Sequence, residues 1–120
     1  MSNRELIDQQ LDACCAPLDH EPLTPGQADV LSRGFKAVGD PIRLRLLSLI
    51  ASTEGGEACV CDLTGAFALT GPTISHHLKV LREAGLITGE RRGTWVYYRA
   101  VPDAMRRLAA VLMPAEEAVA

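Results

Sequence analysis

The sequence predicts a small, mostly helical domain that carries one β-hairpin. Three observations point there. The chain has 120 residues, enough for one domain and too few for two ordinary ones. Hydrophobic residues make up 48% but aromatic ones only 4%, so a core must be built from Leu, Val, Ile and Ala, which favours helices. Apolar residues follow a helical spacing over most of the chain. After Gly85 the pattern changes to a Thr-, Val- and aromatic-rich run around a glycine, the mark of a hairpin.

The elements follow in order. "RELIDQQLDACC" places Leu6, Ile7 and Leu11 on one helical side, and Pro17 should end that helix. "APLDHEPL" is a linker punctuated by Pro17 and Pro22. Residues 1–23 are therefore an N-terminal helix and linker carrying an adjacent cysteine pair. Residues 24–113 form the main domain, and "PAEEAVA", 114–120, is a flexible tail. Within the domain, Thr24 is a candidate N-cap with Pro25 at the first helical position, and Val30, Leu31, Phe35 and Val38 form the apolar stripe. Asp40 and Pro41 repeat that start. Ile42, Leu46, Leu49 and Ile50 face inward there, while Arg43 and Arg45 stay wet. "TEGGEA" is a loop, and "CVCDLTGAFAL" is a short helix with Leu63 and Phe67 at i, i+4. "TGPTISHHLKVLREAG" is a second short helix, capped by Thr70 and stopped by Gly85. "LITGERRGTWVYYRAV" is the hairpin. "PDAMRRLAAVLM" is a last amphipathic helix with Met105, Leu108, Val111 and Leu112 as its seam. Two short helices joined by a tight turn and followed by a hairpin describe a winged helix-turn-helix.

The helix from Thr70 to Gly85 divides cleanly on a wheel of 100° per residue. Ile74, Leu78 and Leu81 form a buried stripe. Ser75, His76, Lys79, Arg82 and Glu83 fall on the far side, with Pro72 beside them at the helix start. A helix that reads DNA needs this division, one face anchored in the core and the other carrying hydrogen-bonding groups into the major groove. Thr70 and Thr73 sit at the N-terminal end, where free backbone N–H groups favour a phosphate or base edge. His77 lies nearer the apolar stripe and is expected to be partly buried. The segment "GERRG" puts Arg91 and Arg92 at the hairpin turn, where arginines can enter a minor groove or pair with phosphates.

The charge distribution agrees. The chain carries a net −3, a poor total for a DNA binder. From Gly71 to Arg99, however, Lys79, Arg82, Arg91, Arg92 and Arg99 stand against Glu83 and Glu90, giving +3 and leaving −6 for the rest. A basic segment on an acidic body can bind DNA, and dimerisation doubles it. No apolar run is long enough to span a membrane. The N-terminus lacks the apolar stretch of a signal peptide, so a cytoplasmic location is expected. There the four cysteines serve metal binding or redox sensing rather than structural disulfides. A thiol enzyme is disfavoured, because no Cys-x₅-Arg phosphate loop is present.

The cysteines form two pairs. Cys59 and Cys61 would point about 200° apart within a helix but the same way in an extended segment. "GGEACVCD" looks like a loop entering a helix, so a shared ligand is feasible, and a helix N-terminus favours the thiolate. Cys14 and Cys15 are adjacent and precede Pro17. Thiolates select soft acceptors. Four sulfurs would suit Cd(II), Pb(II) or tetrahedral Zn(II); three would suit As(III) or Sb(III). The alternatives are two small buried apolar residues at Cys59 and Cys61, or a thiol-redox switch.

The stretch "FKAVGDPIRLRLLSLIA … GEACVCDLTGAFALTGPTISHHLKVLREAGLITGERRGTWVYYRAV" resembles the ArsR/SmtB family of metal- and metalloid-sensing repressors. The likeness covers about two-thirds of the chain, and "CVCDL" and "PTISHHLKVLREAGL" are its specific parts. It implies a homodimer that binds palindromic double-stranded operator DNA and releases it when an inducer binds. It also implies that Cys59 and Cys61 are sensor thiolates. Arsenic sensors of this kind often carry a third cysteine soon after the pair, but here "DLTGAF" has none. The resemblance therefore sends the missing ligand to Cys14 or Cys15, with As(III) or Sb(III) as inducer. Cd(II)/Pb(II) sensing through all four sulfurs is the alternative. Zinc sensors of the family place Asp and His ligands on the last helix, where this chain has Asp103 but no His.

Overall fold

Most helices begin where the sequence supplies a cap, and these starts set the architecture. The computed structural model describes residues 17–67 and 69–115. In chain order these form α1 (Pro25–Val38), α2 (Pro41–Ser52), a 3₁₀ turn (Glu54–Gly56), β1 (Glu57–Cys59), α3 (Val60–Ala66), α4 (Gly71–Glu83), β2 (Ile87–Arg92), β3 (Trp95–Ala100) and α5 (Pro102–Leu112). Thr24 Oγ1 accepts from Gln27 N at 3.2 Å, and Gln27 Oε1 accepts from Thr24 N at 2.9 Å. That reciprocal pair is a capping box. Asp40 Oδ2 accepts from Ile42 N at 3.0 Å and Arg43 N at 3.1 Å. At the far end of α4, Leu86 N donates to Leu81 O and Gly85 N to Arg82 O, with Gly85 at φ 78°. This Schellman pattern needs the left-handed residue that glycine supplies. It also packs Leu86 beside Leu81, both buried.

One core holds the elements together. Leu46 and Ile50 of α2, Leu63 of α3 and Ile74, Leu78 and Leu81 of α4 are almost fully buried, with Leu86 and Ile87 beneath the sheet. Val30, Leu31 and Ala37 come from α1, and Ala104, Leu108 and Val111 from α5. Gly34 lets α1 and α5 approach: a Cβ there would lie 2.9 Å from a Leu108 methyl. The sheet is antiparallel in the order β1-β3-β2. The hairpin closes on Gly93 and Thr94, because Arg92 pairs with Trp95 and Gly93 has φ 65°. Among the described residues no helix is long and apolar enough to cross a membrane.

The winged helix-turn-helix class predicted from the sequence is the class observed, with several local corrections. The run "TEGGEA" is not all loop, since Glu57–Cys59 is a third strand paired with β3. A three-residue strand has too little pattern to be seen as period-2 alternation. The short helix stops at Ala66 because Phe67 is extended, although Phe67 stays buried. Arg91 and Arg92 are the last residues of β2 rather than the turn, which lies one step further at Gly93–Thr94. Arg43 is half-buried rather than wet. Leu112 is 61% exposed, so the α5 seam runs through Ala104, Leu108 and Val111. The segment "RELIDQQLDACC", with Cys14 and Cys15, lies outside the described residues, as does most of the tail.

Two outcomes test this account. Leu63→Ala should lower unfolding free energy by about 2–5 kcal/mol, as for other buried Leu truncations, read from urea denaturation. Asp40 is held below the ordinary carboxylate range, first by the Arg43 N–H and then by the Arg43 charge, against some desolvation. Its contribution is complete above the unfolded-state value and is lost as pH falls through the folded-state value. Thermal melts of wild type should therefore lose more on acidification than those of Asp40→Asn.

Candidate nucleic-acid interface and thiol site

The exposed side of α4 is built by the burial of its other side. Ile74, Leu78 and Leu81 take up the inner face, so Ser75, His76, Lys79 and Arg82 are all exposed. Pro72 opens the helix and Thr70 caps it. Thr70 Oγ1 lies 2.8 Å from Thr73 Oγ1 and accepts from Thr73 N at 3.4 Å. The predicted groups from Thr70 to Arg82 thus share one solvent-facing strip along the helix and its N-terminal end. Lys79 and Glu83 approach only to 3.9 Å, a loose pair that leaves the ammonium available.

His77 is half-buried, as the helical wheel indicates, and has a partner the sequence did not disclose. Arg43 Nη1 lies 3.2 Å from His77 Nδ1. Arg43 also donates from Nε to Ala37 O at 2.7 Å and from Nη2 to Lys36 O at 3.1 Å. Arginine can only donate, so His77 Nδ1 must accept. One guanidinium therefore ties the end of α1, the start of α2 and the middle of α4 together. The pairing joins residues 34 apart in sequence, and no local periodicity signals it. Arg45 lies over the Phe67 ring at 4.5 Å, which fixes the turn between α3 and α4.

On the wing, Arg91 and Arg92 part company. Arg92 donates to Glu57 at 2.7 and 3.0 Å and to Glu90 at 2.9 Å, and its guanidinium lies 4.6 Å from the Tyr97 ring centre. Its charge is strengthened first by the Glu57 hydrogen bonds and then by Glu90. The Glu57 carboxyl is lowered mainly by Arg92. Arg91 lies on the opposite face by strand alternation, is exposed, and has no ion-pair partner among the described residues.

The thiol pair straddles a strand end and a helix start. Cys59 is the last residue of β1 and the N-cap of α3. Its Sγ accepts from Cys61 N at 3.2 Å. Cys59 is buried, whereas Cys61 is exposed. The two sulfurs meet, paired as a disulfide, with Cα atoms 5.2 Å apart. In the dithiol form the same geometry places two soft donors side by side with one open to solvent, which fits two positions of a thiolate-bound centre. Cys14 and Cys15 lie outside the described residues. Among those described, no cluster of three or more His, Cys, Asp or Glu side chains gathers around one point.

The chain is similar in sequence and fold to known regulators. Residues 40–88 match the family described as bacterial regulatory protein, arsR family. An uncharacterized HTH-type transcriptional regulator of Methanocaldococcus jannaschii is 43% identical over 62% of this chain and 81% of its own length. The arsenic resistance transcriptional regulator of Pseudomonas putida is 47% identical over 65% of this chain, and the match spans 59% of that regulator. Among solved structures, the AntR antimony-specific transcriptional repressor superposes with a TM-score of 0.62 at 30% identity, over 76% of this chain and 81% of its own. The match to residues 40–88 takes in the thiol pair, α4 and the start of the wing. The chain belongs to the arsR family of DNA-binding bacterial regulatory proteins.

Proposed function

We propose that this chain is a cytoplasmic, homodimeric repressor that binds double-stranded operator DNA and releases it when As(III) or Sb(III) occupies its cysteine thiolates. The observation that carries this reading is Cys59, a buried sulfur that is also the cap of α3, the first helix of the helix-turn-helix. Relatives named for arsenic resistance and for antimony support the choice of inducer. In chemical terms, an arsenite hydroxyl group and a thiol exchange to give an arsenic–sulfur bond and water. Cys59 and Cys61 supply two such sulfurs, and Cys14 or Cys15 supplies the third, from the same or the partner subunit.

Each group on the DNA side has a role in this reading. Ser75, His76, Lys79 and Arg82 face the major groove. Thr70, Pro72 and Thr73 bring the helix N-terminus to a phosphate. Arg91, without an ion-pair partner among the described residues, is the wing cation offered to DNA, and Arg92 braces the wing. The exposed apolar side chains Leu18, Leu112 and Met113 near the end of α5 supply apolar surface for the dimer. Coupling can be modest, since about 1.4 kcal/mol changes operator affinity tenfold.

A second reading draws on the disulfide. Two-electron oxidation of the Cys59–Cys61 dithiol, by a peroxide or diamide that takes up the two electrons and two protons, would place the sulfurs as they stand here. A crosslink over one intervening residue closes almost no loop and adds little stability, so its use would be signalling. Cd(II)/Pb(II) sensing would draw on all four sulfurs and differ in stoichiometry.

The test is operator anisotropy with arsenite, peroxide and Cd(II) in parallel. Arsenite should weaken operator binding by tenfold or more, and Cys59→Ser or Cys61→Ser should remove that response while leaving ligand-free affinity within about threefold. Release of DNA by both variants as readily as by wild type would place the sensor elsewhere. Release by peroxide alone would select the redox reading. A salt titration separates the wing arginines. Arg91→Ala should reduce the log–log salt slope by about 0.9 per wing, whereas Arg92→Ala should lower affinity with little change of slope.

A further inference from the structure

One face of the small sheet carries a continuous set of groups from the thiols to the wing tip. Strand alternation places Glu57 and Cys59 on the same side of β1. The register sets Cys59 opposite Tyr97 and Glu57 opposite Arg99 on β3. Across the other ladder, Glu90 faces Tyr97 and Arg92 faces Trp95. All of these lie on the outer face, because Ala58, Ile87, Tyr98 and Ala100 on the other face pack into the core.

Glu57 ties this face together. Its two oxygens take Arg92 Nη1 at 2.7 Å and Nη2 at 3.0 Å, and Oε2 also takes Arg99 Nη2 at 3.0 Å. Such forked pairing fixes direction as well as distance. Because the strand order is β1-β3-β2, the Glu57–Arg92 bridge passes over the central strand and joins the two outer ones. Glu57 is also the least exposed member of the network, at 25% against 43% for Arg92 and 56% for Arg99. β1 is only three residues long and ends in Cys59, so a pull on that sulfur acts on the last rung of the strand that carries Glu57.

We infer that Glu57 is the positioning residue through which ligand binding at Cys59 and Cys61 is transmitted to the wing. The inference rests on the reading of these two cysteines as the ligand thiols. Displacement of the Cys59 end of β1 moves Glu57, loosens its fork on Arg92, and frees Arg92 from the Tyr97 ring and from its seat opposite Trp95. The wing then loses the brace that holds Arg91 at the DNA. The bridge acts by placement rather than by adding stability, in keeping with the small worth of solvent-facing ion pairs.

The chain carries its own reporter, since Trp95 is the only tryptophan, is half-exposed and pairs with Arg92. The experiment uses the full reduced chain without DNA and sodium arsenite as probe. Near-ultraviolet thiolate absorbance reads binding, and Trp95 emission reads the wing. Wild type should show both changes. Glu57→Gln should keep the absorbance change and an unchanged melting temperature but lose the emission change. Arg92→Gln, which removes the other end of the bridge, should do the same, and the double variant should lose nothing more. Arsenite binding with no Trp95 response in wild type, or with a full response in Glu57→Gln and Arg92→Gln, would overturn the inference and leave the proposed function standing. Absence of arsenite binding in wild type would instead sink the proposed inducer. The coupling would then be read by alkylating the exposed Cys61 with iodoacetamide in a Cys14→Ser, Cys15→Ser background. Loss of the Trp95 response on Glu57→Gln would support the inference, and an unchanged or absent response would overturn it.

Discussion

Cys59 belongs to two elements at once, and the functional half of the molecule depends on that sharing. As the last rung of β1 it pairs with Tyr97 of the wing. As the cap of α3 it accepts the Cys61 amide. A conventional Ser, Thr or Asp cap would serve the helix equally well. Sulfur serves it while remaining a soft donor, so the residue that starts the helix-turn-helix is also the one a thiophilic ligand would seize. Burial of Cys59 and exposure of Cys61 suit the same purpose, one sulfur anchored in the frame and the other reachable from solvent.

The allocation of positive charge follows a similar economy. The segment from Gly71 to Arg99 carries five cations, but they are not equivalent. Arg92 and Arg99 converge on Glu57, which turns two charges into wing architecture. Arg91 is left unpaired among the described residues, while Lys79 is held loosely by Glu83. An acidic chain can therefore carry a basic segment in which part of the charge is spent on bracing the sheet and part stays open to solvent. Glu57 illustrates the point: its charge is taken up by two guanidiniums on the outer sheet face.

Elements marked by local chemistry were legible in the sequence. The Thr24, Asp40 and Thr70 caps, the stop at Gly85 and the Ile74–Leu78–Leu81 stripe each arise from interactions within a few residues, and the structure shows them. The half-buried position of His77 followed from the same wheel. Contacts made across long separations were not legible. Arg43 reads as an exposed helix charge until folding brings it against His77. Glu57 reads as a loop residue until β1 pairs with β3. The hairpin was visible, but its turn was misplaced by one step, because the charged run "GERRG" looks more turn-like than "GT" while the register puts Gly93 at positive φ. The neighbouring aromatics Tyr97 and Tyr98 serve different faces, Tyr97 with Trp95 on the outer one and Tyr98 on the core side. The N-terminal cysteine pair remains a reading of the sequence, since it lies outside the described residues.

These contacts suggest where a signal at the thiols meets least resistance. The inner face of α4 is almost completely buried, and Arg43 ties His77 to two carbonyls at the end of α1. Shifting α4 in its seat would disturb a close-packed interior, where small changes of volume are costly. The wing rests on different supports. Its outer face is held to β1 by side-chain pairs open to water, and β1 itself has only three residues. Such contacts reorganise with little loss because water replaces each partner. In the proposed mechanism, a ligand that strained Cys59 would act first on these solvent-facing contacts, so that α4 could stay seated while the wing let go. Release of this kind does not require α4 to be remodelled. It requires only that helix and wing no longer present one continuous surface to the DNA.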